Sequence, residues 1–364
     1  MKPWWEQIRA VIRLEIGKTF FAKRGLWIYL VAALPVLLFV AFAVASAHQQ
    51  HESSDLARRS GRPLTYQDLQ AIKPGMTSEE VIALLGKPAI RFQWNEENAG
   101  ENGNKTIFHE SYHYSDGQDR LIVRLANGAV GAVEFQPGYN LGEDSIMFAG
   151  IFQFFFLRLA VFFGCLGVFM NLFRGEVLDR SLHFYFLAPI RREVLMAGKF
   201  LAGLLATCTI FVMSEFLQTI AFLAHFTPSV RDAYLYHNHG LEHAAAYIGV
   251  TMLACVGYGA FFLVAGVLFR NPILPTAVIL IWESINPFLP SLLKQFSVIY
   301  YLKALCPVDI PSPPGTSPLF ALLVSNSDPI SPPIAVLGLV TVALIALGVS
   351  SFQIRRMEIN YASE

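Results

Sequence analysis

Leu26-Trp-Ile-Tyr-Leu-Val-Ala-Ala-Leu-Pro-Val-Leu-Leu-Phe-Val-Ala-Phe-Ala-Val-Ala-Ser-Ala47 is an unbroken apolar run, with Lys18, Lys23 and Arg24 just before it. About 20 residues at 1.5 Å rise cross the hydrocarbon core of a bilayer. Inside that core every peptide group must be satisfied within its own segment, so the run is expected to be a helix. The basic residues ahead of it place the N-terminus in the cytoplasm. With Ala45-Ser46-Ala47 its only cleavage-like feature, the run reads as a retained signal anchor.

Working outward, the rest of the chain is of the same kind. Of 364 residues, 54% are hydrophobic and only 15% charged, with 30 Phe and a mean hydropathy of +0.47. Soluble domains carry about 25% charged residues, so the chain is expected to be an integral membrane protein. The formal net charge is zero, so the total by itself says nothing of an anionic partner, and nucleic acid is not expected as one. Cys165, Cys208, Cys255 and Cys306 all lie in or beside apolar stretches, in no disulfide framework or zinc spacing.

Further apolar stretches run at about 146–173, 200–222, 244–269, 273–289 and 334–352. With the first they predict six crossings. Basic residues recur in every second loop: Arg174, Arg180, Arg191, Arg192 and Lys199, then Arg270, then Arg355 and Arg356. Both termini are therefore expected to be cytoplasmic. The predicted divisions are an amphipathic interfacial helix over 1–24, a first transmembrane helix over 25–47, an extracytoplasmic α+β domain over 48–145, and five more transmembrane helices over 146–364. Trp4, Ile8, Ile12, Ile16 and Phe20 recur every four residues, as on a helix lying on membrane lipid or packed under the bundle. Asn286-Pro287 and Leu289-Pro290 break the fifth apolar stretch, so residues from about 286 to 306 are expected to form a re-entrant hairpin.

Between Leu64 and Gln136 the signals change. Thr65-Tyr-Gln-Asp68 and Thr77-Ser-Glu-Glu80 are capping-box helix starts, and Gly86-Lys-Pro88 stops the second helix. Strand-forming segments follow at 89–94, 107–114 and 121–125, and Asn127-Gly128 makes a hairpin turn before 129–135. Two helices against an antiparallel sheet are expected, with Asp68, Glu79, Glu80, Glu96 and Glu97 on a solvated face. The pattern Ile72-Lys-Pro-Gly75-Met-Thr77, Glu80-Val81, Leu84-Leu-Gly86-Lys-Pro88 and Leu121-Ile-Val-Arg-Leu-Ala-Asn-Gly128-Ala-Val130 resembles the SmpA/OmlA (BamE-like) family. Members act by contact, which implies a binding module for a periplasmic partner at residues 64–136 and favours a bacterial inner-membrane location. This copy differs in being inserted within a membrane protein.

The loop after the second span reads Arg174-Gly-Glu176-Val-Leu-Asp179-Arg180-Ser-Leu-His183-Phe-Tyr-Phe186-Leu-Ala-Pro189-Ile-Arg191-Arg192-Glu-Val-Leu-Met-Ala-Gly198-Lys199. An acidic residue, a long apolar stretch, Pro-x-Arg-Arg and a Gly-Lys pair in that order resemble the ABC-2 type permeases, with His183–Phe186 bulkier than the usual Leu-rich run. The resemblance implies a coupling loop at 174–199 in which Glu176, Asp179, Arg180, Pro189, Arg191 and Arg192 meet an ATP-binding subunit. It also implies a second permease chain, identical or not, completing the pathway. No Gly-x-x-x-x-Gly-Lys-Ser/Thr occurs, and Gly17-Lys18-Thr19 lacks the glycine that would open a phosphate loop. ATP and Mg are thus expected on the partner subunit, with no cofactor here.

Arg158, Glu215 and Glu283 lie inside expected spans, where a lone charge faces a partner or an aqueous cavity. Arg158 is 16 residues from Arg174 and Glu215 is 16 from Lys199, so equal depth allows an ion pair that braces the bundle or lines a path. Glu283, beside the break at Pro287, is expected to face a cavity. His237, His239 and His243 are the metal candidates, and His239-Gly-Leu-Glu242-His243 has a metalloprotease spacing. A third ligand and a walled cleft are not visible, so this segment reads as a solvated interfacial loop. The expected function is an exporter's permease subunit. The alternative is a membrane-anchored scaffold organising an envelope complex through the inserted domain.

Overall fold

In the computed structural model, residues 4–21, 25–59, 64–100, 103–136, 138, 140–172, 190–269, 273–311 and 330–356 are described. The chain divides into a helical unit, residues 1–40, 145–223 and 227–364, and an α+β unit, residues 41–144 and 224–226.

The helical unit contains α1 (Trp4–Phe21) and the first part of α2 (Leu26–Arg59). After the α+β unit come α5 (Leu141–Phe169), α6 (Arg192–Ala224), α7 (Pro228–His237), α8 (Gly240–Leu268) and α9 (Ile273–Ile285). The short α10 (Ser291–Lys294), α11 (Val298–Leu305) and α12 (Pro332–Arg356) complete it. Among the described residues, α2, α5, α6, α8 and α12 are long and apolar enough to cross a membrane. The sixth expected crossing is not among them. Among the described residues its stretch is helical over Ile273–Ile285, 13 residues or about 20 Å, before a 3-10 turn at Asn286–Phe288. Proline removes a backbone donor and clashes with the preceding turn, so Pro287 ends the helix there.

The helices pack through aromatic rings set against glycines. Phe169 lies against Gly203 of α6 and Gly259 of α8, where an added Cβ would stand 2.9 and 2.6 Å from the ring. Small residues of this kind let helices approach where lipid supplies no hydrophobic drive. Within α5, Ile151–Val161 is π-helical, a widened turn that re-aims the side chains on it.

The α+β unit begins inside α2. The expected first crossing ended at Ala47, yet the helix runs on to Arg59, because no glycine or proline interrupts residues 48–59. Residues 48–59 are therefore a polar helical extension and not the opening of a loop-linked domain. α3 (Tyr66–Gln70) and α4 (Ser78–Leu85) follow, and the capping boxes at Thr65 and Thr77 are both formed.

The sheet is a four-stranded antiparallel meander in the order β1-β2-β3-β4: β1 (Ile90–Gly100), β2 (Gly103–Ser115), β3 (Arg120–Ala126) and β4 (Ala129–Gln136). Asn127 and Gly128 turn β3 into β4 with φ of 49° and 83°, the positive values a two-residue hairpin needs. One sheet face carries Tyr112, Tyr114, Leu121, Val123, Leu125 and Val130, which close a core with Leu69, Ile72, Val81 and Leu85. On the other face Arg120 donates to Ser53 Oγ at 2.6 Å and Glu52 Oε2 at 3.1 Å, fastening the polar end of α2 to β3.

Candidate functional site

Three groups of polar residues stand out, and the start of α6 holds the first. Lys199 Nζ donates to Glu15 Oε1 of α1 at 2.7 Å and to the Leu172 carbonyl at 3.0 Å, with both side chains of the ion pair buried. One turn away Val11 packs on Gly198, and Arg191 lies over the Trp4 ring at 5.3 Å. α1 is therefore docked along α6 by a face centred on Val11 and Glu15, while Trp4 and Trp5 are exposed. The four-residue apolar line predicted from Trp4 to Phe20 is not the buried one. The reason is that the partner helix offers a lysine, which draws Glu15 inward.

Arg192 Nη1 donates to the carbonyls of Ile354 and Arg355 at 3.2 and 3.0 Å. These carbonyls lie in the last described turn of α12, a place where a guanidinium is favourable. Arg355 in turn pairs with Glu193. Of the residues assigned to a coupling loop, Arg191 and Arg192 are seen here, and Glu176, Asp179, Arg180 and Pro189 lie outside the described residues.

The second group lies within the helices. Lys199 is level with Leu172 through their hydrogen bond; Arg158 is fourteen residues from Leu172 and Glu215 sixteen from Lys199. Their depths differ by about 3 Å. They nevertheless face different neighbours and form no pair. Glu215 is fully buried, and its Oε1 accepts from Thr219 at 3.3 Å. Glu215 Oε2, Gln218 Oε1 and the Tyr247 hydroxyl have no hydrogen-bond partner among the described residues.

Arg158 lies over the Phe154 ring at 5.2 Å, within electrostatic reach of Tyr258 and Glu283, and its Nε and Nη2 have no hydrogen-bond partner among the described residues. Glu283, expected to face a cavity, is spent on structure: it accepts from Ser297 Oγ and the Val298 and Ile299 amides at 2.8–2.9 Å. It thereby caps the first turn of α11, a role usually played by a residue adjacent in sequence.

The third group is the histidine-rich segment. His239 has φ of +58° and stands before α8, so it shares no helical face with His243. Its Nδ1 meets Glu242 at 2.9 Å, while His243 Nδ1 faces the Tyr234 hydroxyl at 3.4 Å. His237 ends α7. Among the described residues no group of three or more His, Cys, Asp or Glu side chains could hold a metal.

The α+β unit contains a buried carboxylate that sequence reasoning passed over. Glu110, 4% exposed, accepts from Arg91, Gln93 and Tyr112, each at 2.6 Å. Burial by itself would raise its pKa, and the three donors outweigh that and hold it below the usual 4.5. Its signal was positional: Glu110 has the parity of the core residues Tyr112 and Tyr114. No family model, curated protein or solved structure matches this chain.

Proposed function

We propose that this chain is the membrane-spanning permease subunit of an ATP-driven exporter of the ABC-2 type, working as a dimer with separate ATPase subunits. The observation that carries the reading is the junction at the start of α6. Lys199–Glu15, Lys199–Leu172 and Arg192 with the end of α12 tie α1, the end of α5, α6 and α12 into one polar knot. The expected coupling segment, residues 174–189, lies in sequence between two members of that knot. A segment that transmits a partner's closure needs such a base, since motion applied to a loose root would be lost in it. Mechanistically, ATP-driven approach of two partner subunits would move α5 and α6 through this base and open the interface between two permease chains. No covalent chemistry is assigned to this chain.

The test is purification of the tagged full-length chain from its native membrane in mild detergent, with identification of partners and an ATPase assay. A stoichiometric ATPase is expected, released by Arg191→Glu, which spares the Arg192 contacts. Recovery with envelope proteins and no nucleotide-binding subunit would replace the reading with a scaffold. One observation favours that second reading: β1 is an edge strand with Phe92 and Trp94 54% and 44% exposed, a surface suited to strand addition by a partner. Either way the chain would lie in a bacterial inner membrane.

A further inference from the structure

We propose that Glu215 is a proton-binding site inside the helical unit, reached through a small polar cavity from the end where α7 meets α8. Glu215 is fully buried and sits on α6, one of the helices long and apolar enough to cross a membrane. A carboxylate in such a place is costly unless it meets a counter-charge or several donors. The titratable groups that face it are Tyr247 of α8 and Cys306, just after α11, and neither is a cation. Arg158 is within electrostatic reach of Tyr258 and Glu283 instead.

Donors are as scarce. Glu283 has three, at 2.8–2.9 Å. Glu215 has Thr219, at 3.3 Å from Oε1, and its Oε2 has no hydrogen-bond partner among the described residues. The ligand that removes such a charge without needing a chamber of its own is a proton.

Access to the carboxyl runs through Thr219. A cavity of about 20 Å³ is lined by Thr219 of α6, Tyr234 of α7 and Tyr247 of α8, with Phe148 and Phe222 among its apolar walls. A space of that size is enough for one water molecule, provided that polar groups hold it. Three lining residues carry hydroxyls, and that of Tyr247 has no hydrogen-bond partner among the described residues. On the far side the Tyr234 hydroxyl stands 3.4 Å from Nδ1 of His243, which is half-buried and so open in part to the surroundings.

A proton taken up at His243 Nδ1 passes to the Tyr234 hydroxyl, the cavity water, the Thr219 hydroxyl and Glu215 Oε1. Each relay group gives up one proton as it accepts another, so Glu215 alone ends with an extra one. Departure by the reverse route leaves a negative charge beside α8 that entry of water relieves. The site goes beyond the export reading and does not depend on it.

The test is infrared spectroscopy of the full-length chain in neutral detergent at neutral pH. Wild type is expected to show the C=O stretch of a protonated carboxyl that Glu215→Gln lacks. Transfer into D₂O should shift that band down, and Thr219→Val and Tyr247→Phe should each slow the shift by about tenfold, as for a barrier raised by one lost hydrogen bond. A carboxyl region unchanged by Glu215→Gln would overturn the site, and exchange as fast in both hydroxyl variants as in wild type would overturn the path. If Glu215→Gln is not monodisperse, Thr219→Val decides, because losing the hydrogen bond to this carboxyl must raise its C=O frequency. An unmoved band there would overturn the site just as well.

Discussion

Glu110 of the α+β unit and Glu215 of the helical unit are buried carboxylates held in different ways. In the α+β unit Glu110 is surrounded by donors from two strands, and Tyr112 is tied to both Glu110 and Ser78. In the helical unit Arg158, Glu215, Gln218 and Tyr247 each keep a buried atom without a hydrogen-bond partner among the described residues. A soluble fold that buries a charge must satisfy it or lose stability. Lys199 and Glu15, also buried in the helical unit, are paired with each other, and Glu283 is held by three donors.

Breaking the structural pair should have the largest effect. Lys199→Met leaves Glu15 buried without its counter-charge and is expected to cost about 3–5 kcal/mol, read as loss of thermal stability in detergent. Glu15→Gln with Lys199→Met should recover most of it. A neutral single variant would remove the distinction drawn between the two groups.

Next comes Glu110→Gln, expected to cost the α+β unit about 1–3 kcal/mol, seen as faster amide exchange in β1–β3. Because the folded pKa of Glu110 is lowered, its contribution is present above the ordinary carboxyl value of 4.5 and is lost as pH falls through the folded value. The variant should therefore lose stability at neutral pH and show less acid sensitivity than wild type. His113 adds a smaller effect of the same sign, since burial and the nearby Arg120 and Arg124 lower its pKa from 6.5. Stability from this group is present above 6.5 and lost as pH falls through the lowered value, and His113→Gln should flatten that part of the profile.

Gly128→Ala is expected to cost about 1 kcal/mol, again by exchange in β3 and β4. No atom lies within 4 Å of the added Cβ, so the cost is that of φ at +83°. Smallest of all should be Glu215→Gln, within about 1 kcal/mol of wild type, because the replaced oxygen has no hydrogen-bond partner to lose among the described residues. A large loss there would show that Glu215 is held as Glu110 is, and the contrast between the units would fall.

Much of the α+β unit was legible because its signals are local. Thr65 and Thr77 bond to groups three residues on, and Asn127-Gly128 turns within its own hairpin. The extension of α2 was missed because the apolar run was read as the whole helix, whereas a helix ends at a breaker and not where hydrophobicity stops. Glu15 carries no signal of its own in the sequence, since nothing near it reveals a lysine 184 positions away. The depth of Arg158 and Glu215 followed from a count along the helix, but the direction in which each points did not.

What the sequence determined by itself is whatever depends on neighbours within a turn or a hairpin: five of the six stretches expected to cross, where helices of the α+β unit are capped, and that Pro287 breaks the fifth stretch. Only the tertiary structure decided that α1 docks by Glu15 on Lys199, that Glu283 caps α11, and that Arg158 joins Lys303 across Phe154 and not Glu215. Helix rise sets depth from sequence alone, while the angle about the helix axis at which a charge finds its partner is set by packing between helices, to which residues far apart in the chain contribute.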